Sequence, residues 1–426
     1  MRVRRWAAAA GAALLWAAVL VLPALVPGGG AGPAARASQT PAPTAAPRTA
    51  QAPAGARPCR AVWVSYLEWQ NVDFSSAAAF AADAGAMLDG IAALGANVVL
   101  AHVRPFGDAL YPSALYPFSH LCTGTQGQDP GFDPLALLVE AAHARGLQLE
   151  AWINPYRLQA GGSPAALAAT NPASLHPGWV REAEGGLYLD PANPAVRQYI
   201  ADGVAELCEN YDLDGIHFDD YFYPTTDPAF DAADYAAYCA GTPDPLPLDD
   251  WRRRNVDALV TLCRETAQGY GVRFGIAPQG DPALNYSAQY SDAARWLAEG
   301  MVDYLMPQLY WGLDYTQDGD GSHALGALAA RWLAMERAPG TALYFGLGAY
   351  RIGEGDGGDR SGPGSEWQTG GALAAQAAAL ADLGGEGVGL YRYDSLFANT
   401  LWPTLAAQER AALQALFAGQ TPAGEC

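Results

Sequence analysis

The chain has 426 residues with 24 basic and 44 acidic side chains, and every one of the 24 cations is arginine, giving a formal charge of −20. Without a lysine ε-amine there is no Schiff-base, pyridoxal-phosphate or phosphate-loop lysine chemistry, and an acidic chain with no basic run is a poor ligand for nucleic acid or anionic lipid. Half of the residues are hydrophobic and 11% are aromatic, which excludes a disordered chain and calls for a large core.

Residues 1–37 read as a signal peptide: Arg2, Arg4 and Arg5 precede an uncharged run over 6–27, and Ala35-Arg36-Ala37 offers a small-x-small cleavage site before Ser38. The apolar run is also long enough to span a bilayer, so an uncleaved anchor is the alternative and the one expected membrane contact. Either route predicts a secreted or cell-surface protein. Residues 38–58, rich in Ala, Pro and Thr, read as a linker, residues 59–420 as one folded domain and 421–426 as a tail. Six cysteines without a CxxC pair argue against zinc or iron–sulfur binding. Export permits disulfides, but spacing does not fix their pairing.

From residue 61 onward, β-rich runs alternate with alanine-rich helical stretches. The predicted strands are residues 61–67, 97–104, 147–154, 215–221, 273–279, 304–310, 342–350 and 387–393. Helical periodicity follows them, as in residues 77–94, 194–210, 249–270 and 403–417. Eight such alternations predict an α/β fold, a closed (β/α)8 TIM barrel. The folded stretch of about 360 residues exceeds the ~250 typical of that fold, so it carries insertions. Helix-to-strand links are short, whereas the strand-to-helix links at 105–132, 155–193 and 222–248 are long. That puts long βα-loop insertions at the C-terminal mouth, where barrels build active sites.

Strand residues two apart share a face. One parity collects the polar groups near the strand ends: His102 and Arg104, Trp152 and Asn154, His217 and Asp219, Gln279, Gln308 and Tyr310, Tyr391 and Tyr393. The other parity is apolar, as in Val103, Ile153, Ile216, Phe218, Leu305 and Leu309, and is expected to pack on the outer helices. The polar set is expected to end in the mouth.

Five runs carry a family resemblance. Residues 104–111 read RPFGDALY, 151–157 AWINPYR, 214–224 DGIHFDDYFYP, 274–278 FGIAP and 306–311 MPQLYW. In this order they resemble signature runs of the glycosyl-hydrolase-like 10 family across nearly all of the folded part. The resemblance implies a secreted or surface-attached glycosidase-type barrel, with members linked to bacterial cell-wall glycans. One departure is the run Gln279-Gly280-Asp281-Pro282, which stands where the family carries a longer, aromatic-containing loop.

Glycoside cleavage generally needs one protonated and one ionised carboxyl group. Asp219 and Asp220 are the leading pair, because adjacent carboxylates near the mouth repel and one keeps its proton more readily. Neighbours on a strand point apart, so a further carboxylate is considered: Asp108 first, because it lies in a matched run, then Asp394 or Glu68. Residues 214–224 also look like the chitinase-type pattern in which the substrate's N-acetyl group is the nucleophile. Here, however, His217 and Tyr221 replace acids of that pattern. Arg104, Asn154, Gln279 and Gln308 suit sugar hydroxyls or an acetamido group. Trp152, Tyr156, Tyr221, Tyr310 and Trp311 can stack on pyranose faces. His102, His217 and Tyr393 complete the expected substrate-binding set. Neither histidine has metal-site spacing, so no metal or cofactor is expected. The expected function is a glycoside hydrolase of a bacterial cell-wall-type polysaccharide, peptidoglycan glycan strands among the candidates. A non-catalytic glycan-binding barrel is one alternative. A metal-dependent polysaccharide deacetylase built on His217-Phe218-Asp219-Asp220 is the other.

Overall fold

The computed structural model describes residues 58–419. The expected signal peptide, all but the last residue of the expected linker, and the tail lie outside them. Among the described residues no helix is long and apolar enough to cross a membrane.

All eight expected strands are present. They are β1 (Cys59–Val64), β2 (Val98–Arg104), β3 (Gln148–Ile153), β4 (Gly215–Phe218), β5 (Arg273–Ile276), β6 (Tyr304–Leu305 continued by Gln308–Leu309), β7 (Ala342–Leu343 continued by Phe345–Gly348) and β8 (Gly387–Tyr391). Every ladder between them is parallel. Strand order runs from the second half of β6 through β7, β8 and β1 to β5, and on to the first halves of β6 and β7. The two edges are therefore halves of the same two strands, Tyr304 pairing with Ala342 and Gln308 with Gly346, and the ring closes as a TIM barrel.

Eight helices follow the strands in turn: α1 (Ala77–Ala93), α2 (Pro134–His143), α3 (Pro194–Asn210), α4 (Leu248–Gly269), α5 (Ala293–Glu299), α6 (Leu325–Leu333), α7 (Ala372–Asp382) and α8 (Pro403–Gly419). Their starts are chemically marked. Ser76 accepts the Ala79 N–H at 3.2 Å, Asp133 that of Ala136 at 3.0 Å, and Asn193 that of Ala195 at 2.9 Å. Pro134 and Pro194 occupy first-turn positions, where a missing N–H costs nothing. Inside the long β3–α3 connection, Arg157–Gln159, Val180–Ala183 and Gly186–Leu189 form a small antiparallel sheet over the mouth side of the chain.

Parity sorts the core into two layers. Val62, Val99, Ala101, Ile153, Ile216 and Phe218 pack outward with the helices, while Ala61, Trp63, Leu100, Trp152, Tyr304 and Met306 fill the barrel. The interior is too narrow for a large residue on every strand. A Cβ on Gly275 would lie 2.0 Å from the Tyr304 ring, and one on Gly389 2.5 Å from the Met306 sulfur, so glycine on one strand makes room for bulk on its neighbour.

Midway down the barrel lies a closed polar cluster. Tyr304 donates to Glu150 at 2.5 Å, Arg273 Nε donates to Glu150 at 2.6 Å, His217 Nδ1 lies 2.7 Å from the Tyr304 oxygen, and Trp63 Nε1 donates to His217 Nε2 at 3.2 Å. Because the Tyr304 hydrogen goes to Glu150 and Nε2 accepts from Trp63, His217 carries its proton on Nδ1. Burial and the Arg273 charge lower the His217 pKa to about 3, so the ring stays neutral.

The inward expectation for the polar parity fails at two strand ends. The β2–β3 register shifts between His102 and Arg104, a bulge at Val103. His102 keeps the inward face, but Arg104 swings to the helix side, its guanidinium 4.3 Å from the Tyr116 ring centroid and close against Gly203 of α3. At the far end β8 stops at Tyr391, and Tyr393 opens a short helix (Tyr393–Phe397), where its ring stacks on Phe397 at 4.6 Å. Strand alternation no longer applies there, so Tyr391 rather than Tyr393 faces the mouth.

Candidate active site

Asp219 is the first residue beyond β4, and it continues the inward parity of His217. Trp152 and Asn154, two apart on the β3 face, both aim N–H groups at it: Trp152 Nε1 and Asn154 Nδ2 each donate to Oδ2 at 3.1 Å. The other oxygen, Oδ1, has only the Tyr221 backbone N–H at 3.4 Å. Asp219 thus has one doubly held oxygen and one nearly free oxygen on which a proton can sit. Burial, reinforced by the neighbouring Asp220 charge, raises its pKa to about 7, against the opposing pull of Arg157 and the Trp152 N–H.

Asp220 turns the other way. Its Oδ1 accepts Gln308 Nε2 at 3.2 Å from β6, and its Oδ2 accepts Gln289 Nε2 at 3.1 Å from the β5–α5 connection. Gln308 is itself fixed by a bond to the Ala277 carbonyl at 2.9 Å. Both oxygens of Asp220 act as acceptors, the arrangement of an ionised carboxylate. One protonatable carboxyl and one acceptor carboxylate on consecutive residues are the parts that acid-assisted glycoside cleavage uses.

Aromatic rings surround the pair. Tyr310 and Tyr391 stack at 5.5 Å, Tyr350 meets both edge-on, and Tyr221 is 42% exposed at the rim. His102 stacks on Trp152 at 3.7 Å, is buried, and among the described residues has no partner on either ring nitrogen. Gln279 is half-buried, its backbone tied to Asn285 in both directions.

Several expected site residues lie elsewhere. Asp108 has no exposed surface and is held within the β2–α2 connection, where Oδ2 accepts Gln126 Nε2 at 3.0 Å and lies 3.3 Å from His120 Nδ1. It clasps its own loop and is not brought to the acid pair. Tyr156 is wholly buried in the outer, helix-side core, and Trp311 packs on Tyr315 and His323 in the β6–α6 connection. Glu68 caps a short helix through Ser65 and pairs with Arg392 at 2.6 Å, so it offers no second acid. His217 belongs to the closed cluster below, with both ring nitrogens engaged. It therefore cannot touch a sugar, nor has it a lone pair for the metal that the deacetylase alternative requires. A separate cavity of about 310 Å³, lined by Asp314, Tyr315, Asp356, Arg360, Glu366 and Trp367, contains none of the mouth residues.

Comparison with known proteins bears on the family and the fold. The family model described as glycosyl hydrolase-like 10 matches residues 58–360. The chain belongs to that family. It is 34% identical over 333 residues to glycosyl hydrolase DigH of Escherichia coli K12, covering 70% of this chain and 74% of DigH. It is 36% identical over 319 residues to glycosyl hydrolase YngK of Bacillus subtilis, again over 70% of this chain but spanning only 61% of YngK. Among solved structures, the PgaB (BpsB) glycoside hydrolase domain of Bordetella bronchiseptica superposes with a TM-score of 0.55 at 17% identity, covering 84% of this chain and 98% of that domain. The β-amylase catalytic domain of Paenibacillus polymyxa gives 0.53 at 13% identity, over 85% and 99%. At these identities the two structures speak for the barrel alone. The family match ends inside the β7–α7 connection, so Tyr391, on β8, lies beyond it.

Four residues that sequence parity missed complete the family member's mouth: Tyr66, Phe106, Arg157 and Gln289. All four lie beyond the ends of the barrel strands, Arg157 on the small antiparallel sheet, so the barrel's period of two does not set their direction. The only available signal was that Phe106 and Arg157 sit inside matched motifs.

Proposed function

We propose that this protein hydrolyses glycosidic bonds of a bacterial cell-wall-type polysaccharide outside the cytoplasmic membrane, with peptidoglycan glycan strands the leading substrate. Asp219 is the general acid: the proton on Oδ1 passes to the leaving glycosidic oxygen as the C–O bond breaks. Asp220, fixed between Gln289 and Gln308, is the anionic partner that stabilises the oxocarbenium-like centre, and a water then bonds to that carbon and gives its proton to the Asp219 carboxylate, restoring the acid. Tyr221, Tyr310 and Tyr391 supply faces for pyranose stacking, and Asn154, Gln279 and Gln308 supply amides for sugar hydroxyls. The observation that carries this reading is the unequal treatment of the two Asp219 oxygens, combined with a pKa of about 7 beside a second carboxylate.

The test is to incubate the purified protein with peptide-bearing and peptide-free glycan strands, with and without a chelator, and to follow products by mass spectrometry. New reducing ends that survive the chelator are expected, with faster cleavage of bare strands, which enter a groove more easily. Asp219→Asn and Asp220→Asn should each lose at least about 100-fold in turnover while remaining folded. Unchanged turnover in both variants would remove the assignment. Acetate release would point to a deacetylase, and intact polymer that still captures the protein to a binding module.

A further inference from the structure

Arg157 is 93% buried at the mouth, yet its charge is not spent on the protein. Its backbone N–H donates to Asn154 Oδ1 at 3.3 Å, and the same asparagine donates to Asp219, so the residue is fixed to the acid through one side chain. Nε donates to the Pro105 carbonyl at 3.2 Å. The guanidinium carbon lies 4.8 Å from the Phe106 centroid, 5.1 Å from Tyr221 and 5.5 Å from Tyr66. Among the described residues no carboxylate pairs with it, and Nη1 and Nη2 have no hydrogen-bond partner.

Two other enclosed arginines differ, and Arg104, whose terminal nitrogens also lack partners among the described residues, lies against Tyr116 on the helix side and away from the mouth. Arg252 is spent on Asp231, Tyr290 and two carbonyls, and Arg273 on Glu150. Tuning the acid does not explain Arg157, because its charge lowers the Asp219 pKa and so works against retention of the proton. The same charge also helps keep His102 neutral, after the larger effect of burial. His102 is buried beneath this site, its two ring nitrogens without partners among the described residues.

Resting on the glycosidase reading, we propose that Arg157 holds a carboxylate carried by a sugar beside the scissile bond, which makes the protein a hydrolase selective for acidic glycans. A planar guanidinium fork matches a carboxylate with two parallel N–H···O bonds, and enclosure by three rings strips water from the pair. In a chain of charge −20, an anionic polymer is repelled unless a local cation receives it. Two sources share this chemistry: an ether-linked lactyl group on a hexosamine, and the C6 carboxylate of a uronic acid.

The experiment compares three polymers: lactyl-bearing hexosamine strands, the same strands with their carboxylates reduced to alcohols, and a hexosamine–uronate polymer. The wild-type protein should favour one carboxylated polymer over the reduced strands by at least about tenfold in kcat/KM, mostly through KM. Whichever polymer wins names the source. Arg157→Gln and Arg157→Lys should collapse that ratio towards unity, whereas a shift in Asp219 titration would affect every polymer equally and leave it intact. A wild-type ratio near one, or a ratio preserved in Arg157→Gln, overturns the proposal, and the wild-type ratio needs no folded variant. If no polymer is cleaved, the hydrolase reading alone has failed. Equilibrium binding of the same three polymers to the wild type and Arg157→Gln then decides the carboxylate proposal, on the same ratio.

Discussion

Two polar layers lie one above the other in this barrel, and they treat their hydrogen bonds in opposite ways. In the lower layer, Trp63, His217, Tyr304, Glu150 and Arg273 satisfy one another in a continuous chain. In the mouth, His102 has two ring nitrogens without partners, Asp219 has one nearly free oxygen, and Arg157 has two idle amine groups. Buried polar groups are costly unless paired, so a closed network in a barrel interior reads as structure. Open valences also occur away from the mouth, on Arg104, Asp108 and Tyr156, so it is openness beside Asp219 that reads as a place reserved for a ligand. Polarity and burial alone would have ranked His217 with His102; the state of their nitrogens separates them.

That contrast can be broken most forcefully in the lower layer. Glu150→Gln keeps the shape but leaves the Arg273 charge without its carboxylate, so the fold should lose about 3 kcal/mol. Denaturant midpoints measure this directly. The same variant should retain its kcat per folded molecule, because nothing in the mouth is bonded to Glu150. If Glu150→Gln stays as stable as wild type but loses turnover, the division into structural and functional layers is wrong.

The two layers should also answer pH with opposite sign. Asp219 is raised to about 7 from an ordinary 3.8, so its contribution to stability is complete below 3.8 and is lost as pH rises through 7. His217 is lowered to about 3 from 6.5, so its contribution is complete above 6.5 and is lost as pH falls towards 3. Hydrolysis should decline about tenfold per pH unit above 7 as the acid loses its proton. Asp219→Asn should gain thermal stability relative to wild type as pH rises from about 4 to 7 and hold that gain above it. A Tm difference that does not change with pH between 5 and 9 would show that Asp219 does not titrate there.

The ring of strands was legible because apolar parity and short helix-to-strand links survive in the sequence without coordinates. Asp219, Trp152, Asn154 and Gln308 were legible for the same reason: each sits on, or one step beyond, a strand that keeps its alternation. Arg104 misled because one extra residue at Val103 shifts the face of everything after it. Asp108 and Tyr156 misled because motif membership marks a loop as important without saying which side chain turns inward. Arg157 and Gln289 lie on connections, whose geometry comes from contacts made far along the chain. Glu150 did carry a sign that parity could have used, an acid within the otherwise apolar run of β3.

The smallest effect tests the parity argument where it lapsed. Tyr391 and Tyr393 are two apart and would share a face on an uninterrupted strand, but the chain turns into a helix between them. Tyr391 meets Trp63, Trp152, Tyr310 and Tyr350 in the barrel, whereas Tyr393 lies against Phe397 outside it. Removing a stacked ring that faces a sugar costs about 0.5–1.5 kcal/mol, so Tyr391→Ala should raise KM several-fold. Tyr393→Phe removes only a hydroxyl from the outer layer, and both KM and stability should stay within about 0.5 kcal/mol of wild type. Glycan titrations followed by intrinsic fluorescence, together with steady-state kinetics, measure both variants on one scale. Equal effects from the two would mean that the last strand continues past Tyr391 in solution and that the rim extends one residue pair beyond it.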